Sequence, residues 1–221
     1  MTRSTKSMLA ALALLLAACG SDPAEAPLLG ALAVVAKTAV APRATPAPAA
    51  AASVTRQQVT DAAVPLIRVR IPSRSIESFI TRRDSNSGTE TWFTNDGTTF
   101  TLRNGVLIST RALQPDLMSA ATPTVAQLSR AGGSHQRAYF ILGDNDGMQR
   151  LSFDCTVASQ GSVRLTVIER VYATTHMQET CTGDAGKIVN DYWIERGSTI
   201  RQSRQWTNPT VEYTEIAKLT D

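Results

Sequence analysis

The stretch TETWFTNDGTTFTLRNGVLIST, residues 89–110, contains three runs of β-branched and aromatic residues separated by Asp96-Gly97 and Asn104-Gly105. Both central residues of a type I′ turn take positive φ, a conformation that Asn, Asp and Gly adopt most readily. A hairpin turn therefore follows each of the first two runs. The stretch predicts a three-stranded antiparallel meander.

The same pattern of short strands and turns extends over residues 54–221. Ile67, Val69 and Ile71 alternate with two arginines, the period-2 pattern of a half-buried strand. Further strands are predicted at 76–82, 136–142, 148–158, 162–172, 176–182, 187–196, 199–207 and 211–219, and short helices at 56–62 and 124–131. So many closely spaced strands indicate an all-β domain, a mainly antiparallel sandwich or barrel-like sheet.

The amino terminus has the features of a bacterial lipoprotein signal. Arg3 and Lys6 precede a short apolar run that ends in Leu16-Ala17-Ala18-Cys19. A basic region, an apolar core and small residues before the cut define a secretory signal peptide, and a cysteine directly after the cut defines a lipobox. We expect residues 1–18 to be removed and Cys19 to carry acyl chains. Gly20 follows the cysteine in place of Asp, which favours the outer membrane.

Residues 19–53 predict a lipidated tether. Of the 34 residues from Gly20 to Ser53, 18 are Ala or Pro, and the first aromatic residue of the chain is Phe79. A segment so poor in large apolar side chains cannot offset its ordering entropy by burial. Residues 28–40 are the exception, since their leucines and valines could line a short helix. This segment is either a docking helix or part of the tether.

The net charge and the cysteines limit the partners and bound groups that the protein is expected to have. The formal net charge is +3 and falls to +1 once the signal peptide is removed, so no nucleic-acid partner is expected. In an oxidising compartment Cys155 and Cys181 predict a disulfide, between strands separated by one intervening strand; two buried thiols are the alternative. Neither His135 nor His176 has metal-ligand spacing to a cysteine pair, so we expect no metal and no cofactor.

No catalytic motif is present in the sequence. A nucleophile elbow, a phosphate-binding loop and a zinc helix are absent, and no Ser-His-Asp triad can be assembled. Asp144-Asn145-Asp146-Gly147 resembles the start of a calcium loop, but its glycine comes too early and no glutamate follows at the required distance. We therefore predict a non-catalytic protein, with a polysaccharide-modifying periplasmic enzyme as the alternative.

The strand at 199–207 is the candidate binding element. It carries polar groups on both faces, which indicates either an exposed edge or a strand with one face lining a groove. An indole offers an apolar face to a sugar ring, while Arg and Gln donate to hydroxyl groups. The alternative is that Trp193 and Trp206 are core residues. The candidate binding residues are Tyr192, Trp193, Arg201, Arg204, Gln205 and Trp206.

Two blocks of the chain carry a family resemblance. Residues 92–110 and the pair of strands at 192–206 resemble the signatures of the YjbF-type, or group 4 capsule, lipoproteins, and the lipobox and Tyr213-Thr214-Glu215-Ile216 also fit. The resemblance covers roughly residues 54–221. It implies a β-rich, lipid-anchored outer-membrane protein that serves capsule or exopolysaccharide production, without established catalytic residues.

The resemblance and the residues together give one functional expectation. The chain is expected to be an accessory lipoprotein for exopolysaccharide assembly or export, with its domain facing the periplasm. Its partner would be glycan or a protein of the export machinery.

Overall fold

The computed structural model describes residues 54–143 and 147–221. The signal peptide (1–18), Cys19, the tether (19–53) with its segment 28–40, and residues 144–146 of the Asp144–Gly147 turn lie outside the described residues. The predictions about them stay predictions.

The described chain forms one antiparallel sheet of twelve strands that curls into a nearly closed barrel, which confirms the all-β prediction. The order across the sheet is β5-β4-β3-β2-β1-β12-β11-β10-β9-β8-β7-β6. The strands are β1 (Leu66–Ile71), β2 (Ile76–Asn86), β3 (Thr89–Phe93), β4 (Thr99–Arg103), β5 (Val106–Arg111), β6 (Leu117–Ala121), β7 (Ser134–Leu142), β8 (Met148–Val167), β9 (Arg170–Gly183), β10 (Gly186–Glu195), β11 (Ile200–Asn208) and β12 (Glu212–Lys218). The predicted meander is β3-β4-β5.

Side chains, instead of a backbone ladder, bridge the seam between the terminal strands β5 and β6. The Thr110 hydroxyl donates to Asp116 at 3.0 Å and accepts from the Leu117 amide at 2.9 Å. The Arg111 guanidinium donates to the carbonyl oxygens of Leu117 and Met118, each at 3.3 Å. These bonds satisfy part of the strand edges, which would otherwise invite pairing with another chain.

Two short helices accompany the sheet, α1 (Arg56–Asp61) and α2 (Val125–Leu128). Each begins with a capping box, formed by Thr55 with Gln58 and by Thr124 with Gln127. The second helix starts one residue later and ends three residues earlier than the predicted helix at 124–131. None of the helices in the described part of the chain is long and apolar enough to cross a membrane.

The long hairpin of β8 and β9 differs from the sequence-based expectation. The turn implied between the strands predicted at 148–158 and 162–172 is absent, because Gln160-Gly161 is a bulge within β8, with φ +98° at Gly161. The true turn is Ile168-Glu169, and both residues take positive φ. Ile and Glu are not residue types that indicate a type I′ turn, so the sequence does not mark this turn. The prediction of three shorter strands at 148–158, 162–172 and 176–182 was therefore wrong. Strand β6 was not predicted at all.

The disulfide between Cys155 and Cys181 is present, as the cysteine count predicts. The two residues are direct cross-strand partners on the adjacent strands β8 and β9. The expectation of an intervening strand was wrong, because it followed from the misplaced turn at Gly161. The bond closes a loop with a sequence separation of 26 at the base of this hairpin.

The main core fills the inside of the barrel, and Trp206 reaches it through a gap between β10 and β11. The β10–β11 ladder ends at Asp191 and Arg204. Beyond that point the Asn190 side chain accepts from the Trp206 amide at 2.7 Å, replacing a ladder bond. The Trp206 indole packs edge-to-face on Tyr139 and Phe153, with ring centroids 4.8 Å and 5.8 Å apart. Trp206 is therefore a core residue, whereas Trp193, the other member of that alternative, is not in the buried core.

Candidate functional site

A charged network lies on the inner face of β7, β9 and β10. The carboxylate of Glu179 is completely buried and accepts from the Arg137 guanidinium, from the Asn190 amide at 2.8 Å and from the Tyr192 hydroxyl at 3.1 Å. His135 Nε2 lies 2.6 Å from its other oxygen. Asn190 links this network to the backbone of β11 beside Trp206.

The network keeps Glu179 ionised in the barrel interior. Burial alone would raise the pKa of this carboxyl, but the charge of Arg137 and the hydrogen bonds from His135 and Asn190 outweigh that effect and lower the pKa to about 2. Burial raises the pKa of Tyr139, beside the network, to about 12. With 0% of its side chain exposed, Glu179 cannot meet a substrate, so the network is structural.

One group in this region has the residue types of a metal site. Ligand atoms of His135, Cys155 and Glu179 lie within 4.8 Å of one another. The sulfur of Cys155 is bonded to Cys181, so no thiolate is available. The remaining His and Glu already pair with each other, and these residues do not fit a metal ion.

The outer face of β9, β10, β11, β12, β1 and β2 carries two rows of side chains that run across these six strands. Cross-strand partners in the first row are Gln178, Asp191, Arg204, Glu215, Arg70 and Glu77. Those in the second are His176, Trp193, Gln202, Ala217, Arg68 and Phe79. We call these twelve residues the outer strip. Because neighbouring strands lie about 4.8 Å apart, the strip is about 24 Å long.

The aromatic rings of the strip lie at the two ends of its second row, and polar groups surround the ring of Trp193. The imidazole of His176 stacks on the Trp193 indole, with centroids 4.6 Å apart and planes 4° apart. Asp191 accepts from Gln178 at 3.1 Å and lies 2.9 Å from His176 Nε2. The Arg204 guanidinium lies 3.3 Å from the ring centroid of Tyr213. The strip therefore presents flat apolar rings beside hydrogen-bonding groups.

The strip's ion pairs are exposed. Arg70 pairs with Glu215 at 3.0 Å and with Glu77 at 3.5 Å, and Ala217 leaves a small depression beside them. These charges meet solvent and one another, so they are free to exchange partners with a ligand.

The structure separates the six candidate binding residues into three environments. Trp193 and Arg204 lie half-buried on the outer strip. Tyr192, Gln205 and Trp206 are buried in the barrel. Arg201 is buried against the last residues of the chain, Thr220 and Asp221. Whether these residues bind a ligand stays a prediction.

The interpretation of the strand at 199–207 as an exposed edge is wrong. Strand β11 pairs with β10 on one side and with β12 on the other. Gln205 is polar yet buried because its amide bridges the barrel, accepting from the Leu107 amide at 2.9 Å and donating to the Gly105 carbonyl at 3.0 Å. Gln205 and Arg201, two of the candidate binding residues, are therefore not on the surface.

Arg201 is held by the end of the chain. Its guanidinium donates to Glu195 at 2.6 Å and 2.9 Å, and lies 3.2 Å from both the Thr220 carbonyl and the Asp221 carboxylate. Its Cζ lies 4.0 Å from the Tyr172 ring centroid. These contacts close the end of the sheet near α1, so the role of Arg201 here is structural.

A cavity of about 190 Å³ opens at one end of the barrel, between the meander and β11 and β12. Its lining includes Trp92, Asn104, Ser203 and Lys218, with Glu90 as the single carboxylate residue in its wall. None of the six candidate binding residues lines it.

His176, Asp191 and Gln178 belong to the site although the sequence did not single them out as binding residues. The signal was present in the alternation of β10, where Asp191 and Trp193 share a face and Tyr192 does not. Placing His176 beside Trp193 also requires the exact register of the β9–β10 hairpin, which residue types alone do not give.

Comparisons with known proteins agree with this fold. A family model described as "Group 4 capsule polysaccharide lipoprotein gfcB, YjbF" matches residues 31–219. The crystal structure of the hypothetical lipoprotein YmcC from Escherichia coli (K12) has a TM-score of 0.69 and 18% identity, covering 77% of this chain and 90% of that chain. At that identity the likeness shows the fold alone. No curated protein sequence gives a significant match.

Proposed function

This chain belongs to the group 4 capsule polysaccharide lipoprotein family, which implies a role in capsule assembly, and we propose that it serves that role by binding the polysaccharide chain on its outer strip. It acts as a non-catalytic accessory protein that is anchored through Cys19 in the outer membrane and faces the periplasm.

The observation that carries this proposal is the geometry of the outer strip. A row of side chains about 24 Å long, crossing six strands, suits an extended polymer better than a single small molecule. The Trp193–His176 stack offers an apolar face to a sugar ring, and Asp191, Gln202 and Arg204 offer acceptors and donors to hydroxyl groups.

The carboxylates support binding over glycosidic chemistry. Glycosidases generally use a pair of carboxyl groups on either side of the scissile bond. The cavity wall has Glu90 as its single carboxylate residue, and that group pairs with Arg82 at 2.6 Å. Glu179 is buried out of reach, and the acids of the outer strip already have partners: Asp191 accepts from Gln178, and Glu215 and Glu77 both pair with Arg70.

Binding is tested with the capsular polysaccharide purified from the producing strain. We expect Trp193→Ala and Arg204→Ala each to weaken equilibrium binding, and the pair together to abolish it. Arg164→Ala is the matched control, since Arg164 is an exposed arginine on β8 outside the strip. Unchanged affinity in the double variant would refute the proposal; capture of an export protein by that same strip, without polymer binding, would refute it as well.

The anchor is tested by Cys19→Ala. We expect this variant to remain uncleaved or to become soluble, and to be lost from the outer-membrane fraction. Acylation contributes roughly 0.8 kcal/mol per buried CH₂, so loss of every chain removes the attachment. A variant that is still processed and still fractionates with the outer membrane would contradict the lipobox.

A further inference from the structure

The barrel-end cavity is a preformed pocket with an apolar floor and a polar mouth. Buried apolar side chains from five strands form the floor: Ile67, Trp92, Leu102, Ile200 and Ile216. The mouth is formed by Glu90, Asn104, Ser198, Thr199 and Lys218, none of them buried. Ligand sites commonly combine these two kinds of lining, and the ends of β-barrels are among their preferred places.

Close backbone packing holds the rim of this cavity in place. Gly88 and Gly105 take φ of +77° and +85°, and a Cβ at Gly88 would lie 2.2 Å from the Asn104 side chain. The Asn104 amide donates to the Gly88 carbonyl at 2.7 Å. Gln205 fixes Gly105 from the opposite wall and donates to Ser203 at 2.9 Å. A ligand would therefore meet a wall that is already ordered, which reduces the entropy cost of binding.

The charges of the cavity leave one cation without a partner. Glu90 is engaged by Arg82, whose Nη1 lies 2.6 Å from its carboxylate. Among the described residues, no carboxylate lies within ion-pair distance of Lys218. The mouth thus offers an ammonium group that can donate to an anionic ligand, while hydroxyl and amide groups beside it suit neutral oxygens. In addition, the indole Nε1 of Trp92 has no acceptor within the described part of the chain.

Size limits the ligand. The volume of about 190 Å³ is below the roughly 300 Å³ at which sites for drug-sized ligands begin. One sugar ring with its substituents is a ligand of this order, whereas an extended oligosaccharide is not.

From these observations we infer that the cavity binds one acidic sugar residue, a terminal or branching unit of the polymer, with its carboxylate on Lys218. This inference rests on the proposed function, which supplies the class of ligand, a glycan. It adds a second site that distinguishes charged from neutral sugars. The outer strip and the cavity would then divide recognition between the length of the chain and one of its residues.

The test compares D-glucuronate with D-glucose, which differ in the carboxylate. Binding to the full mature lipoprotein in detergent is measured by saturation-transfer NMR and calorimetry. We expect glucuronate to bind about tenfold more tightly than glucose, the size expected of one charge-assisted hydrogen bond. Lys218→Gln should remove that preference, Lys218→Arg should keep it, and Thr199→Trp should block both sugars by filling the mouth. Lys187→Gln, an exposed lysine on β10, is the matched control.

The outcomes separate the two sites. Equal binding of both sugars, or a preference that survives Lys218→Gln, would overturn the inference. Failure of both sugars to bind would also overturn it, and would show that another occupant or no ligand fills the cavity. If the wild type prefers glucuronate while Trp193→Ala still binds polymer normally, the cavity is supported as a sugar site and the outer strip is refuted as the polymer-binding surface. If Trp193→Ala weakens polymer binding but the wild type shows no preference for glucuronate, the outer strip is supported and the inference about the cavity is overturned.

Discussion

Tyr192 and Trp193 are neighbours in sequence, and they lie on opposite faces of the same strand. Tyr192 is fully buried and donates to the Glu179 carboxylate, whereas Trp193 is half-buried and stacks on His176 at the surface. Gln205 and Arg204 on β11 show the same division. Each strand thus supplies polar and aromatic residues to two regions: an inner one, where they are satisfied by the protein, and an outer one, where solvent and ligands can reach them.

The two indoles of these strands give the largest expected difference between the regions. Trp206→Ala leaves a cavity among Tyr139 and Phe153, and we expect it to lower the free energy of unfolding by about 3–5 kcal/mol. Trp193→Ala removes a half-buried ring from the surface and should cost about 1 kcal/mol. Urea denaturation of both variants measures the difference. Equal losses would mean that the two faces do not differ in the way described.

The buried carboxylate predicts how stability changes with pH. The pKa of Glu179 is about 2 in the folded state, below its usual value of 4.5, so the ionised form stabilises the fold above pH 4.5. As the pH falls from about 5 towards 2, the unfolded chain takes up a proton first and this stability is lost. The full contribution is about 3 kcal/mol.

Urea denaturation at pH 5 and at pH 3 measures this dependence. Glu179→Gln is the control, because it removes the titrating group and should flatten that part of the pH profile, at a lower overall stability. A wild-type profile as flat as that of the variant would show that the inner network does not depend on the charge of Glu179.

Much of the fold was predictable because local patterns of residue types indicate its strands and turns. The Asn104-Gly105 turn has positive φ at both residues, as a type I′ turn requires, whereas the Asp96-Gly97 turn has it at Gly97 only. Both turns still consist of residue types that mark a hairpin in the sequence. The Ile168-Glu169 turn takes positive φ as well, but these residue types do not signal it. Arg56, more than a hundred residues away, donates to the Ile168 carbonyl and to the Glu169 carboxylate at this turn, and a local pattern does not record such tertiary contacts.

The candidate site was only partly predictable for a related reason. The aromatic and polar content of β10 and β11 singled out these strands as candidates, but the face of each residue depends on register and bulges. Arg201 lies at an irregularity between the ladder pairs of Ile200 and Gln202. Gln205 has the polarity of a surface residue, but it is buried because its side chain accepts from the Leu107 amide at the start of β5. Contacts that join residues about a hundred positions apart leave no trace in a short window of sequence.

Gln205 and Arg204 extend the comparison to a smaller effect. Gln205→Ala leaves the Leu107 amide and the Gly105 carbonyl without their buried partner, and we expect it to lower the free energy of unfolding by about 1–3 kcal/mol. Arg204→Ala loses a contact with Tyr213 at the surface and should cost less than 1 kcal/mol. Thermal and urea denaturation test both variants. A Gln205→Ala protein as stable as the wild type would contradict the cross-barrel bridge.

The smallest expected effect comes from an ion pair on the outer strip that resembles the inner one in chemistry. Arg70 and Glu215 lie 3.0 Å apart, with 46% and 31% of their side chains exposed, whereas Arg137 and Glu179 are almost entirely buried. Breaking the outer pair with Glu215→Gln leaves an arginine that water can solvate, so the loss of stability should be at most about 1 kcal/mol and should vanish in high salt. Breaking the inner pair leaves a charge that nothing can solvate, which typically costs about 3–5 kcal/mol. Urea denaturation of Glu215→Gln at low and high salt checks the first statement, with Glu179→Gln alongside. A Glu215→Gln loss as large as that of Glu179→Gln, and insensitive to salt, would mean that the outer strip holds the barrel together and is not free to exchange its partners for a ligand.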